Sequence, residues 1–386
     1  MQFQKIIGQD ELKSRLIKGI KDGRVAHTQL FLGPEGSGAL PMAIAYAQYI
    51  NCGNKIENDS CGTCPSCVKF QKYSHPDLHF VFPTTTTDSV KKDAESKLLL
   101  KEWRQYLEKC SSYASINSWH SFLGVGNKQG LINVKDATNI VSKMVMKPFE
   151  AEHKVIIIWL AERMNMQAAN KLLKTLEEPP SNTLIILIAE RYELIIPTVR
   201  SRAQLVKFNK ITDVEVENAL SAKSEDNSKL ADISLIAKMA KGNWNLALDL
   251  FKNIDSTNDN FIKFRQWLRL CFIPKDYTKL FAFAQELARI GREKQKSFLN
   301  YGLLVVHNSI LVNNNNLMSV KTNGEELEFT KSFAPFINEA NRQEIYNLLN
   351  EAIYHVERNA HGGILFTDLS LKLVKLLAIG KIELKK

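Results

Sequence analysis

The chain has 386 residues, 45% of them hydrophobic and 24% charged, with a formal net charge of +10 at pH 7 and a pI near 9.1. That length exceeds what one hydrophobic core usually organises, so two or three domains are expected of an otherwise ordinary soluble composition. No apolar run is long enough to span a bilayer and the first residues lack a signal-peptide core, which argues against membrane insertion or secretion and for the cytoplasm.

Asp10 is placed to cap a helix running to about Lys21, with Leu12, Leu16, Ile17 and Ile20 at helical spacing and Asp22-Gly23 as its end. Leu30 to Leu40 then reads as an apolar strand, a Gly-rich turn and the start of a helix. In the phosphate-binding pattern G-x-x-x-x-G-K-[ST], glycines let backbone N–H groups curl round a phosphate, Lys reaches the outer phosphates and the hydroxyl binds magnesium. Gly33, Gly36 and Gly38 stand at that spacing, but Ala39 fills the Lys position and Leu40 the hydroxyl position. Taken alone, the stretch is either a chance Gly-rich turn or a phosphate loop that kept its shape and lost its chemistry.

The helix continues through Met42, Ala45, Tyr46 and Ile50 into Cys52-x8-Cys61-x2-Cys64-x2-Cys67. In a reducing compartment four thiols at this spacing, on turns helped by Gly53, Gly62 and Pro65, read as a tetrathiolate structural zinc site, with a redox pair or free thiols as the alternatives. His75, Asp77 and His79 read as surface or packing groups, and Cys110 and Cys271 as isolated thiols. Leu78 to Phe82 is a short strand closed by Pro83. Over residues 84–130 a charged helix from Ser96 to Cys110 carries Leu98, Leu99, Trp103 and Leu107 on one stripe, and Trp119, Phe122 and Leu123 are expected to pack this excursion on the body. No chemistry is legible in it.

Ile132 to Val134 reads as a strand leading to a helix from Lys135 to Met146, stopped by Pro148. Lys154 to Trp159 and Thr183 to Ala189 are uniformly apolar, as strands covered on both faces are. Between them Asn165 caps a helix whose Met166, Ala169, Leu172, Leu173 and Leu176 share a face and which Pro179-Pro180 ends. Past Phe208 the β signal fades: Thr212 to Ser221, Leu230 to Lys241 and Asn245 to Phe251 read as helices. A polar break from Asp255 to Asn260 precedes long amphipathic patterns, interrupted at Asn313 to Asn316 and at Asn359 to Gly363.

Four features together carry a resemblance: the Gly33 to Leu40 loop, the Cys52 to Cys67 module, the run Ala168-Ala169-Asn170-Lys171-Leu172-Leu173-Lys174-Thr175-Leu176-Glu177-Glu178-Pro179-Pro180, and Thr198-Val199-Arg200-Ser201-Arg202. The chain resembles the clamp-loader subunits of bacterial DNA polymerase III, and among them looks most like the delta-prime type. The match covers roughly residues 5 to 80 and 130 to 250; the C-terminal third fits only in length and helicity, and 84–130 looks like an added insertion. The resemblance implies an α/β RecA-like AAA+ domain over 1–208, with the inserted zinc module at 52–67 and the insertion at 84–130. A small helical lid domain over 209–255 and an all-α collar or oligomerisation domain over 261–386 follow from it as well.

In active members the strand matching Val155 to Trp159 ends in Asp-Glu, which hold magnesium and orient the attacking water. Here Trp159 and Leu160 stand there, Ala189 stands at the expected polar sensor, and Asn245 stands where an Arg is expected. With Ala39 and Leu40, six such positions are lost, so neither ATP hydrolysis nor a working Mg²⁺ site is expected. The resemblance leaves Arg202, in the Ser-Arg motif, as an arginine finger acting in trans on a neighbouring ATP site, although Ala203 replaces the family's usual Cys. It implies a stator in a hetero-pentamer with an ATPase subunit and a delta subunit, meeting the sliding clamp and primer-template DNA through the complex. Two other readings compete: an independent zinc-containing DNA-binding module, which the sparse Lys55, Lys69 and Lys72 support poorly, and a competent AAA+ ATPase.

Overall fold

The computed structural model describes residues 1–126, 128–223, 230–252, 254–272, 277–314 and 324–383. They fall into two compact units, Met1–Ala219 with Ala240–Ala247, and Leu220–Met239 with Leu248–Lys386. The segment expected as a separate helical domain over 209–255 is divided between them.

Unit 1 is built on five parallel strands, β1 (Thr28–Leu32), β2 (Leu78–Val81), β3 (Lys154–Trp159), β4 (Thr183–Ala189) and β5 (Gln204–Lys207), in the spatial order β2-β3-β4-β1-β5. The parallel α/β sheet expected from the sequence is therefore present. Every residue of β3 and β4 is buried, and the period-2 geometry of a strand sends them alternately to two cores. Val155, Ile157, Trp159, Leu184, Ile186 and Ile188 enter one; Ile156, Ile158, Ile185, Leu187 and Ala189 enter the other.

The first core is closed by α1 (Asp10–Lys21), α2 (Ala39–Ile50), α3 (Pro65–Gln71) and two helices of the insertion, α4 (Leu100–Lys109) and α5 (Ile116–Phe122). All twelve residues of α2 are buried, which its composition, without a charged side chain, permits. The second core is closed by α6 (Val134–Val145) and α7 (Met166–Glu177). Two short helices complete this unit's run, α8 (Pro197–Arg200) and α9 (Asp213–Ser221).

The local expectations hold with specific corrections. Asp10 does not cap α1; it is the first helical residue, and Gln9, at φ 61°, precedes it with no side-chain cap. Ile132 makes only an isolated bridge to Met164, because Asn133 already caps α6 through a capping box with Asp136. The helix expected from Ser96 to Cys110 is a 3₁₀ turn at Ser96–Leu99 followed by α4. Strand β5 went unread, and the polar run at Asp255 to Asn260 belongs to the first turns of a helix.

Beyond Asp213 the described chain is helical: α10 (Leu230–Ala240), α11 (Trp244–Lys252), α12 (Ile254–Phe272), α13 (Tyr277–Arg289), α14 (Arg292–Asn313), α15 (Gly324–Phe333), α16 (Arg342–Glu357) and α17 (Gly362–Glu383). In unit 2 the core gathers Phe264, Trp267, Leu299, Leu349, Phe366 and Leu373 from α12, α14, α16 and α17. Gly302 lets α14 approach the Phe264 ring, where a Cβ would lie 2.7 Å from a ring carbon, and Trp267 Nε1 donates to Ser370 Oγ at 2.9 Å.

Candidate functional site

In an open parallel sheet the crevice for a ligand lies beyond the carboxyl ends of the strands. Here the ends of β1, β3 and β4 bring together the Gly33 to Leu40 loop, Trp159 and Ala189 to Glu190. Gly36 at φ 76° and Gly38 at φ 93° produce the curl, conformations that side chains rarely adopt, and Gly38 sits at the N-terminus of α2. The loop thus keeps the strand-turn-helix shape of a phosphate cradle.

Its interior is occupied by protein. A Cβ on Gly36 would lie 2.2 Å from Asn243 Oδ1 and 2.6 Å from the Trp244 nitrogen, and one on Gly33 2.5 Å from Phe208 Cβ. Asn243 Nδ2 donates to Glu35 Oε1 at 3.3 Å. From the insertion comes Tyr113, whose hydroxyl accepts the Ile7 N–H at 3.0 Å and whose ring lies 6.2 Å from that of Trp244. What is left between the loop, Tyr113, Trp159, Ile188 and Glu190 is a cavity of about 30 Å³. That is about the volume of one water molecule, whereas sites for larger ligands run to hundreds of Å³.

Three of the replaced polar positions, Trp159, Ala189 and Asn245, are taken up by internal packing or hydrogen bonding. Trp159, at the carboxylate position, packs its ring 5.0 Å from Trp103 of α4, which in turn stacks 4.3 Å from Phe82 and stands edge-on 5.1 Å from Trp119. Ala189 is fully buried. Asn245 directs its amide to the Ala114 carbonyl at 3.5 Å. The insertion expected to pack on the body does so through Trp103 and Trp119, and through Tyr113 it also reaches the loop.

Among the described residues lining the crevice, the ionisable carboxyls are Glu35 and Glu190, and no Lys or Arg joins them. Burial, with Glu35 and Glu162 as like-charged neighbours, pushes the Glu190 carboxyl up to about 7. Glu162 Oε1 accepts the Glu190 N–H at 2.9 Å, and burial raises Glu162 too. A polyphosphate would meet carboxylates here, not the Lys of the working pattern. Sequence reasoning missed Tyr113, Glu35 and Glu190; the signal available was that an indole at a carboxylate position needs an aromatic partner, and Trp103 to Tyr113 is where aromatics concentrate.

The four cysteines converge as their spacing predicts. Cys52 follows α2, Cys64 caps α3 and Cys67 lies in its first turn, and one sulfur from each lies within 4.8 Å of the others. The Cys52–Cys61 and Cys61–Cys67 sulfur separations are 3.6 and 3.9 Å. Four sulfurs about 2.3 Å from one zinc at tetrahedral angles would be about 3.8 Å apart, so the donor set fits that ion. The N–H of Cys64, then that of Thr63, holds the Cys61 thiol down at about 6, while burial pushes Cys67 up. Backbone N–H groups of Cys61, Cys64 and Cys67 point at the sulfurs of Cys52, Cys61 and Cys64, which favours thiolates. Asp59, inside the module, accepts the Phe3 and Gln4 N–H groups at 3.1 and 3.0 Å and so ties the N-terminal segment down.

Arg202 lies between α8 and β5, at the amino end of the sheet. Glu177, at the end of α7, receives its Nε at 3.0 Å, and Nη1 donates to the Thr198 carbonyl at 3.0 Å. The Arg202 side chain is 30% exposed, and Arg200 instead lies 4.7 Å over the Tyr192 ring. The seven residues of β4 separate this end from the Gly-rich loop by roughly 20 Å at about 3.3 Å per residue. Arg202 is thus too distant to serve its own loop.

A sequence-family profile described as DNA polymerase III, delta subunit matches residues 8–212. Among characterised relatives, the DNA polymerase III subunit gamma of Buchnera aphidicola is 23% identical over 367 residues, 90% of this chain and 88% of that protein. The subunit delta' of Bacillus subtilis is 29% identical over 217 residues, 55% of this chain and 52% of that protein, and its subunit tau is 24% identical over 68% of this chain and 39% of that protein. The chain therefore spans most of the first relative but only about half or less of the other two. A gamma subunit-related protein of Thermotoga maritima superposes with a TM-score of 0.40 at 14% identity, over 95% of this chain and 99% of that one. With the profile covering more than half of its length, the chain belongs to the clamp-loader subunit family of bacterial DNA polymerase III.

Proposed function

We propose that the chain is a non-catalytic, delta-prime-type subunit of the clamp loader: a degenerate AAA+ module that holds no working ATP site and supplies Arg202 in trans to a neighbouring ATPase subunit. The observation that carries this reading is the filled, acid-lined crevice at the Gly33 to Leu40 loop. Phosphoryl transfer is accelerated almost wholly by positioning and by cations around the transferred group. A crevice with room for about one water, with Trp159 in place of a metal ligand and Glu190 facing the loop, supplies neither. Arg202 has the complementary property. Its guanidinium is permanently charged, and its pair with the exposed Glu177 is of the surface kind that exchanges at little cost.

On this reading the partners are an ATPase subunit and a delta subunit, the helices of unit 2 take part in assembly, DNA and the sliding clamp are met through the complex, and zinc at Cys52, Cys61, Cys64 and Cys67 is structural. The deciding experiment reconstitutes the loader with wild-type chain or Arg202→Ala and measures DNA-dependent ATPase. An order of magnitude or more should be lost, and an unchanged rate sinks the assignment. The similarity to gamma and tau subunits favours a second reading, a competent ATPase. It requires a cation at the loop, where Ala39 and Leu40 stand, and a Mg²⁺-dependent rate from the purified chain alone would establish it.

A further inference from the structure

Unit 1 holds a second cavity, of about 240 Å³, that plays no part in the site above. It opens at the edge strand β2, between the insertion and α6. Its floor is apolar, with Leu78 and Phe80 from β2, Leu100 from α4 and Ile140 from α6. Its walls are cationic: Lys97 and Arg104 come from the insertion, and Lys143 from α6.

Two of these three cations, Arg104 and Lys143, are not matched by carboxylates. Lys97 pairs with Glu95 at 3.1 Å, but among the described residues no carboxylate forms an ion pair with Arg104 or Lys143. The Nε of Arg104 is buried without a hydrogen-bond partner. The single carboxylate lining the cavity, Asp136, is committed to the chain: its oxygens accept the Ser96 N–H at 2.8 Å and the Asn133 N–H at 3.2 Å. Lys143 Nζ lies 3.5 Å from His79 Nδ1, a neutral neighbour. Desolvation, and then the proximity of Lys97, Arg104 and Lys154, holds the Lys143 ammonium below its ordinary range.

We propose that this cleft is a binding site for a small phosphorylated ligand, its phosphate held by Arg104, Lys143 and Lys97 and its compact body resting on the apolar floor. A guanidinium and two flanking ammonium groups are a donor set that phosphate oxygens take. The small size follows from the volume, which is below the usual range for drug-sized ligands. A nucleic-acid backbone is the less favoured source of the phosphate, since polymer recognition uses a stripe of cations along a groove and this is one recessed pocket.

The test titrates pyrophosphate into the full chain at low salt by calorimetry, with Arg104→Gln, Lys143→Gln and, as a distant control, Lys18→Gln. Saturable one-site binding is expected, weakened about tenfold or more by each of the first two changes and untouched by the third. Lys143 is solvent-exposed, so its variant tests the site even if Arg104→Gln disturbs packing. Absence of saturable binding, or Lys143→Gln binding as tightly as wild type, overturns the proposal. A single-stranded oligonucleotide that displaces pyrophosphate overturns it too, by assigning the phosphate to a nucleic acid; no displacement supports the small ligand.

Discussion

Ala39 and Leu40 stand where the phosphate-binding pattern has Lys and a hydroxyl, but what crowds the loop is Asn243, Trp244 and Tyr113. Glu190 adds a charge argument that can be measured. Its carboxyl sits near 7, against 4.5 ordinarily, because burial and then Glu35 and Glu162 disfavour the anion. Between those values the native chain holds a proton that the unfolded chain has released, so this group's contribution to stability falls as pH rises from about 4.5 to about 7. Glu190→Gln should abolish that fall, raising stability at pH 8 by at most about 3 kcal/mol and changing little at pH 4.5. Urea unfolding at the two pH values checks this, and equal pH dependence in variant and wild type would refute it. Arg202 differs in kind, since its carboxylate partner among the described residues, Glu177, is more than half exposed and can be left for a stronger anion.

Among the elements, legibility followed burial. Strands β3 and β4 are apolar at every position after their first residue because both faces are covered, and α7 shows its stripe because one face is. Strand β5 buries only Val206 of its four residues, so its sequence carries almost no signal, and it is identified by pairing to β1. The insertion was legible as packing but not as function, since Tyr113 meets the loop only through tertiary structure, about 75 residues along the chain from Gly38. The cysteine module was the most legible element because metal geometry fixes its spacing. Native mass spectrometry should find one zinc per chain. Cys64→Ser, which removes a thiolate ligand while its hydroxyl can still cap α3, should release it and lower the melting temperature by several degrees; full stability without zinc would show that the thiols alone suffice.

The whole molecule divides into a sheet-bearing unit and a helical unit, and no described helix is long and apolar enough to cross a membrane. A ligand that binds only the native state raises stability by about 2.7 kcal/mol at a hundred times its Kd. With the crevice reduced to about 30 Å³, millimolar MgATP should leave the first unfolding transition within a degree of its position without nucleotide, as read by calorimetry. A rise of several degrees would restore an open site. On the proposed assignment, the two ends of the sheet also differ in a way that would govern assembly. A chain that repeats head to tail must present one surface and its complement at opposite ends, and such contacts build rings or filaments. Here one end offers the Arg202 guanidinium while the other has room for little more than a water and is lined by Glu35 and Glu190, which leaves little for a second copy's arginine to complete. On the proposed assignment, a row of subunits joined through nucleotide sites would finish at this chain and would not be continued by another copy of it, so the substitutions at the crevice would also set the length of the row.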